Sequence, residues 1–332
     1  MRQISRFFLI TSCTFWMALS PLQSQDLKKG TFWEPADTFH PTRFWTAAGI
    51  GASAYTATMI GLAQVWYSDF PRTNFQFFND WREWNGMDKA GHAYATYLEA
   101  TYSYRILRWT GMKQRKAAWM GVGLATIFQT SLETLDGFSA EWGFSPPDIA
   151  FNTLGAGLFI SQELLWAEQR LTLKLSSNFP RYPDVAVPSL DGGHTSTLQD
   201  RAEALYGGGF AARLLKDYNA QTIWLSANVA AFLTPQNRFP PWLNLAVGYG
   251  AQNLYGGFHN EWETDGVRYR LDPLAYPRYR QFYLSLDLDL SRIPVRNAFL
   301  RSLLRALNVI KIPAPTLEIN TTGQLRFHPL FF

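Results

Sequence analysis

Four stretches in the first half of the chain have the length and apolar character of helices. Phe44 to Ser68 carries no charged residue. It is long enough to cross a bilayer, but Gly, Ala, Thr and Ser dilute its hydrophobicity. A buried helix with small residues at a helix–helix contact fits it equally well. Met87 to Trp109 carries Glu99, Arg105 and Arg108, so it is not a plain lipid-facing span. Lys113 to Leu135 begins basic and becomes apolar, and Pro146 to Leu171 is apolar until Glu163. Gly111 and Gly137 are suitable breakers between them. The expectation is an antiparallel bundle of about four helices over residues 40–175.

Residues 176–203 are rich in Ser, Pro, Asp and Gly without apolar periodicity, and are expected to form a linker. Beyond them the period changes to two. Phe282, Leu284, Leu286, Leu288 and Leu290 alternate with Tyr283, Ser285, Asp287 and Asp289, which predicts a strand with one apolar face. Leu243, Leu245, Val247 and Tyr249 alternate less cleanly. Thr222 to Phe232 and Thr316 to Phe327 are further strand candidates, and Asn297 to Asn308 predicts an amphipathic helix. The fold class is therefore α+β: a helical bundle followed by a smaller antiparallel β-rich region over 204–332. The chain ends Leu330-Phe331-Phe332, as outer-membrane barrels often end, although a strand on a small soluble sheet ends equally well this way. Eight strands are the usual minimum for such a barrel. Only five or six are found by pattern, so a complete barrel is not expected.

The N-terminus leads to the expectation of an exported chain. Arg2 and Arg6 precede a short apolar run, Phe7 to Leu19, and residues 1–25 have the form of a signal peptide. Ile10-Thr11-Ser12-Cys13 is similar to a lipoprotein processing box; cleavage near Ser24 would instead remove the only cysteine. The net charge of +4 includes those two arginines, and no dense Lys/Arg stripe occurs, so nucleic acid is not an expected partner. Aromatic residues make up 16% of the chain, which suits a membrane interface or a large aromatic core.

Three short clusters carry candidate chemistry. Asp88 and His92 lie four apart, on one helix face, with Lys89 between them. Glu133 and Asp136 lie three apart at a helix end. Ser145-Pro146-Pro147-Asp148 is followed one turn later by Asn152. Antiparallel helices would bring these to a common point. One imidazole with several carboxylates is a reasonable ligand set for Zn, Mn or Fe, drawn from Asp88, His92, Glu133, Asp136 and Asp148. It is equally an acid–base set of His92, Glu133 and Asp136, with Lys89 and Asn152 binding a ligand. A purely structural reading competes. Ser145 caps a helix, Pro146 occupies its first position, and Asp148 reaches back as in a capping box. Asn85 and Asp88 would do the same for the helix at 87. Capping does not explain Asp136, near a helix C-terminus where the dipole disfavours it. Nor does it explain Glu133, in an apolar helix where a charge needs a partner such as Lys89 or His92.

The ordered set Asp88-Lys89-x-x-His92, Glu133-x-x-Asp136, Gly143-Phe144-Ser145 and Asp148-x-x-x-Asn152-x-x-Gly155 resembles the YfiM-like predicted lipoproteins. More distantly it resembles the VanZ-like membrane proteins, which usually carry Gln near the acidic helix and Arg before the last one. Here those neighbourhoods hold Asp136 and Glu141. The resemblance covers about residues 86–170 and implies a compartment and a candidate site, not a substrate. The expected function is a membrane-associated envelope protein that binds lipid or cell-wall material through the His/carboxylate cluster. Its location would be the outer membrane or its periplasmic face. The alternative is a scaffold in which the cluster only stabilises helix packing.

Overall fold

The computed structural model describes residues 32–332, apart from 63, 65–70 and 235; the expected signal peptide and Cys13 lie outside the described residues. Four long helices come first: α1 (Pro41–Gly61), α2 (Met87–Trp109), α3 (Gln114–Asp136) and α4 (Pro146–Leu165). The α2–α3 turn passes through Gly111 at a φ of +82°, with the backbone of Thr38 pressed against it. That position suits glycine alone. α2 is the central helix, and none of its residues is fully exposed. It packs on α3 and α4 through Tyr97, Ala100, Ala118, Ala125 and Phe159. On its other side Met87 and Tyr94 meet Ile223, Leu175 and Leu254 of the β-rich half.

α4 ends at Leu165, short of the expected Leu171. Trp166 leaves the helical region and Ala167 has a positive φ of 58°. The Gln162 carboxamide oxygen then accepts from the backbone N–H groups of Arg170 and Leu171 (2.9 and 2.7 Å), which starts strand β1 (Leu171–Ser177). The stretch expected as a linker holds a small hairpin, β2 (Ala186–Pro188) with β3 (Thr195–Thr197), and the start of α5 (Leu198–Tyr206). Val187 and Leu198 anchor it in a cluster with Tyr255, Trp262 and Tyr269. A shorter helix, α6 (Phe210–Lys216), leads to β4 (Gln221–Ala227). β5 (Leu243–Gln252), the hairpin β6 (Glu261–Thr264) and β7 (Val267–Arg270), and β8 (Tyr279–Leu288) follow. Helix α7 (Ala298–Leu307), capped by Asn297, precedes β9 (Ala314–Asn320) and β10 (Leu325–Phe331).

Two strand expectations are shortened by local chemistry. β4 stops at Ala227 because the Asn228 side chain accepts from Ala231 N–H and caps a 3-10 turn. The run from Thr316 to Phe327 is two strands, divided at a turn with Gly323 at a φ of +82°. Six strands form one antiparallel sheet in the order β1-β4-β5-β8-β9-β10. The sheet curls until the lead into β9 meets its first strand: Leu175 N–H donates to Val309 O, and Lys311 N–H to Leu175 O (both 2.9 Å).

The polarity of the curled sheet is reversed. Its enclosed face holds Lys174, Ser226, Asn244, Gln281, Ser285, Asp287, Thr316 and Glu318, all buried. Leu245, Val247, Phe282, Leu284, Leu286, Leu317 and Ile319 alternate with them and are exposed. Inside, Lys174 pairs with Asp287 at 2.7 Å with both side chains fully buried. Asp287 also accepts from Ser226 at 2.6 Å, and Glu318 meets His328 at 2.7 Å. Gly248 makes room for Trp224, whose ring would lie 2.7 Å from a Cβ there. Helix α3 likewise buries polar groups beside small residues while leaving large apolar ones exposed. It buries Ala117, Gly121, Gln129 and Glu133 and exposes Trp119, Leu124 and Ile127. Within the bundle Glu99 accepts from Gln129 at 2.7 Å. Among the described residues, no helix is long and apolar enough to cross a membrane.

Candidate functional site

The site forms where α2 begins, α3 ends and α4 begins. The chain enters α2 through three positive φ values, Trp84 (49°), Asn85 (54°) and Gly86 (81°). Trp84 N–H donates to Gly257 O at 2.8 Å, and Asn85 O accepts from the Tyr249 hydroxyl and the Arg280 guanidinium. Asn85 therefore does not cap α2, contrary to expectation; Gly86 is the cap residue and has no side chain to do so. Asp88 turns away from capping as well. One of its oxygens accepts from the Tyr218 hydroxyl (2.8 Å) and the other from Lys89 (2.8 Å).

Lys89 is only 2% exposed, and its ammonium reaches three carboxylates: Asp148 at 2.5 Å, Asp80 at 2.6 Å and Asp88 at 2.8 Å. One helix turn on, the His92 ring stands among four polar groups. Its Nδ1 is 3.2 Å from Asn152 Oδ1 and 3.7 Å from Glu133 Oε1. Its Nε2 is 3.6 Å from Asp148 Oδ1 and 3.8 Å from Asp88 Oδ1. Asn152 Oδ1 also accepts from Thr96 Oγ1 at 2.8 Å, whereas the buried Asn152 Nδ2 has no hydrogen-bond partner.

The α4 cap is built as expected on one side only. Ser145 Oγ accepts from Asp148 N–H (3.1 Å) and donates to Asp80 (2.5 Å). The reciprocal bond to Ser145 N–H comes from Glu133 of α3, at 3.3 Å, not from Asp148. Asp148 is thereby left for Lys89 and His92. The glycine that ends the fourth motif has a packing cause. A Cβ on Gly155 would overlap the backbone carbonyl of Ala93, so this glycine lets α4 lie directly on α2.

Five carboxylates, Asp80, Glu83, Asp88, Glu133 and Asp148, share one ammonium and one imidazole. Desolvation pushes Glu133 up to about 8; His92 opposes that, and Asp148 and Asp136 add to it. Burial, followed by repulsion from Asp88, raises Asp148 to about 7. Burial, with Asp88 and Asp80, raises Glu83 to about 7. Burial disfavours the charged form of His92, but Asp88, Asp148 and Glu133 outweigh it and raise the imidazole. Burial likewise opposes ionisation of Asp88, yet His92 and Lys89 hold it below the usual carboxylate range. The cluster is short of positive charge and compensates by holding protons.

Of the five expected metal ligands, three converge. Ligand atoms of Asp88, His92 and Asp148 all lie within 4.8 Å of one another. Donors bonded to one ion at about 2.1 Å in tetrahedral array stand about 3.4 Å apart, close to the 3.6 and 3.8 Å separations at His92 Nε2. Nδ1 faces the Asn152 carbonyl, the usual arrangement for orienting a ligating imidazole. Glu133 approaches the other ring nitrogen, and Asp136 lies one turn beyond it at the end of α3. Asp80, Glu83, Thr96 and Tyr218 are members that sequence reasoning missed. Asp80 and Glu83 precede α2 without a motif, and Tyr218 lies 130 residues from its partner Asp88.

Fold and site together define an α+β protein with a carboxylate–lysine–histidine cluster where α2 begins, α3 ends and α4 begins, against the β-rich half. Residues 76–162 match a family model described as Predicted periplasmic lipoprotein (DUF2279). The matched segment contains every member of the cluster except Tyr218. No curated protein and no solved structure matches the chain.

Proposed function

We propose that this is an envelope-associated protein that binds a divalent metal ion through Asp88, His92 and Asp148. The match to a predicted periplasmic lipoprotein family over the site-bearing segment supports the compartment. The carrying observation for the site is the convergence of one imidazole nitrogen and two carboxylates in a cluster deficient in positive charge. A bound cation would take the place of the protons held by Asp148 and its neighbours. In an enzymatic version, Asp88, His92 and Asp148 would hold an ion that supplies Lewis-acid polarisation toward an oxygen of a lipid or cell-wall substrate. Glu133, protonated up to about pH 8, and Asp136 then serve acid–base steps on the Nδ1 side of His92. Asn152 orients the imidazole.

A second reading is favoured by Lys89. Its three ion pairs tie α2 to α4 and to the Asp80 loop, which is what a structural lock would do. The two readings separate by elemental analysis and thermal unfolding of purified protein, wild type beside His92→Ala, with Zn²⁺ or Mn²⁺ added and then chelated. The metal reading expects one ion per chain and a midpoint raised by metal, both lost in a folded His92→Ala. No bound metal in the wild type, with midpoints indifferent to ion and chelator, would leave the structural lock.

A further inference from the structure

We infer that the outward face of the β5-β8-β9-β10 wall is a lipid-contacting surface, immersed in the acyl-chain layer of a bilayer. The inference rests on the envelope location proposed above and is independent of the metal centre.

The first observation is the reversal itself. In a water-soluble sheet the apolar side of a period-two strand faces the core and the polar side faces solvent. Here the polar side is enclosed, down to a fully buried Lys174–Asp287 pair. The apolar side is open: Val247 is 51% exposed, Leu284 44%, Ile319 55% and Phe327 64%. Registry makes this a continuous wall. Val247 sits opposite Leu284, Leu284 opposite Leu317, and Leu317 opposite Phe327. Apolar-out, polar-in strands are the arrangement a hydrocarbon solvent selects.

The second observation is height. Along β8 the outward residues Phe282, Leu284, Leu286 and Leu288 are all apolar. At about 3.3 Å per residue they cover about 20 Å, close to the apolar band of about 25 Å on outer-membrane strands. Charge and aromatic groups return at the margins: the exposed Arg280 at one end, the exposed Trp242 at the other. Such residues prefer the headgroup level.

The third observation favours lipid. After β8, the segment leading into α7 and α7 itself present exposed Phe299, Leu300 and Leu307 together with exposed Arg296 and Arg305. An amphipathic helix with arginines beside its apolar face suits an anionic membrane surface.

The test uses the full chain carrying Cys13→Ser, reconstituted in phosphatidylethanolamine–phosphatidylglycerol vesicles. Single cysteines at Leu284→Cys, Leu317→Cys and, on the exposed β6–β7 hairpin, Arg268→Cys receive an environment-sensitive fluorophore. Labels at 284 and 317 should lose most of their emission to nitroxide lipids and little to aqueous iodide, with the reverse at 268. Iodide quenching at all three sites overturns the inference. So does shielding from both quenchers together with cross-linking between copies through 284. Should the labelled variants fail to fold, the unlabelled chain from residue 26, without the apolar Phe7–Leu19 run and Cys13, decides. It should remain in the membrane pellet after alkaline carbonate, and its release overturns the inference. A chain recovered from cells outside the envelope would remove the proposed compartment instead, which is a separate result.

Discussion

Glu99 offers the sharpest test of the reversed interior. Its carboxyl lies between α2 and α3, where Oε1 accepts from Gln129 at 2.7 Å and the buried Oε2 has no hydrogen-bond partner. Desolvation raises it to about 8, against 4.5 for the free side chain, despite the opposing effects of Gln129 and His92. The unfolded chain therefore releases this proton near pH 4.5, while the fold retains it until about 8. Between these values the native state binds more protons than the unfolded state, so Glu99 makes stability fall as pH rises. Each pH unit in that window costs about 1.4 kcal/mol, or about 3–5 kcal/mol across it. Glu99→Gln keeps the acceptor for Gln129 and removes the titration. At pH 5 the variant should lie within about 1 kcal/mol of the wild type. At pH 9 it should be more stable by about 3–5 kcal/mol. Denaturant unfolding of both proteins at pH 5, 7 and 9, in one detergent and with chelator present, measures the difference directly. A difference that stays constant with pH would mean that Glu99 titrates alike in both states, and the desolvation argument would fail.

Two further substitutions probe the packing that builds the site. Lys89→Met leaves Asp80, Asp88 and Asp148 without their shared ammonium; it should cost about 3–5 kcal/mol at neutral pH, and denaturant unfolding that shows no loss would refute its role as the lock. Gly155→Ala forces α4 away from the Ala93 carbonyl and should cost about 1–3 kcal/mol or more. It should also displace Asn152 from His92, read as a shift in the imidazole NMR signals; an unchanged spectrum and midpoint would show that the helices have slack there.

The amino-acid pattern was sufficient for the larger elements. Met87 to Trp109 matches α2 residue for residue, bounded by Gly86 and Gly111, and Asn297 to Asn308 encloses α7, which has a capping Asn297 and a clear apolar face. The approach of Glu133, Asp148 and Asn152 to His92 was also legible, whereas Asp136, expected at the same point, lies a turn beyond Glu133 at the end of α3. Residues four apart share a helix face, and antiparallel helices return their ends to one place. The elements that escaped depend on long-range bonds. The end of α4 is set by Gln162 reaching strand β1, and the residues between β1 and α5 are held by Val187 and Leu198 packing on distant aromatics and by bonds such as Leu190 N–H to Arg268 O.

The same division holds for the chemistry. Sequence alone determined that Leu284 and Ser285 lie on opposite faces of a strand, since side chains alternate along any extended chain. Only tertiary structure decided which face is enclosed, because that depends on six strands curling round Lys174, Asp287 and Trp224. Likewise, the residue types fixed that a lysine, a histidine and several acids were present. The placement of Lys89 among Asp80, Asp88 and Asp148, leaving Glu133 to Ser145 and His92, was decided by helix packing at Gly155. Charge pairing in a buried cluster is settled by distances of a few ångströms, and chain order does not set those.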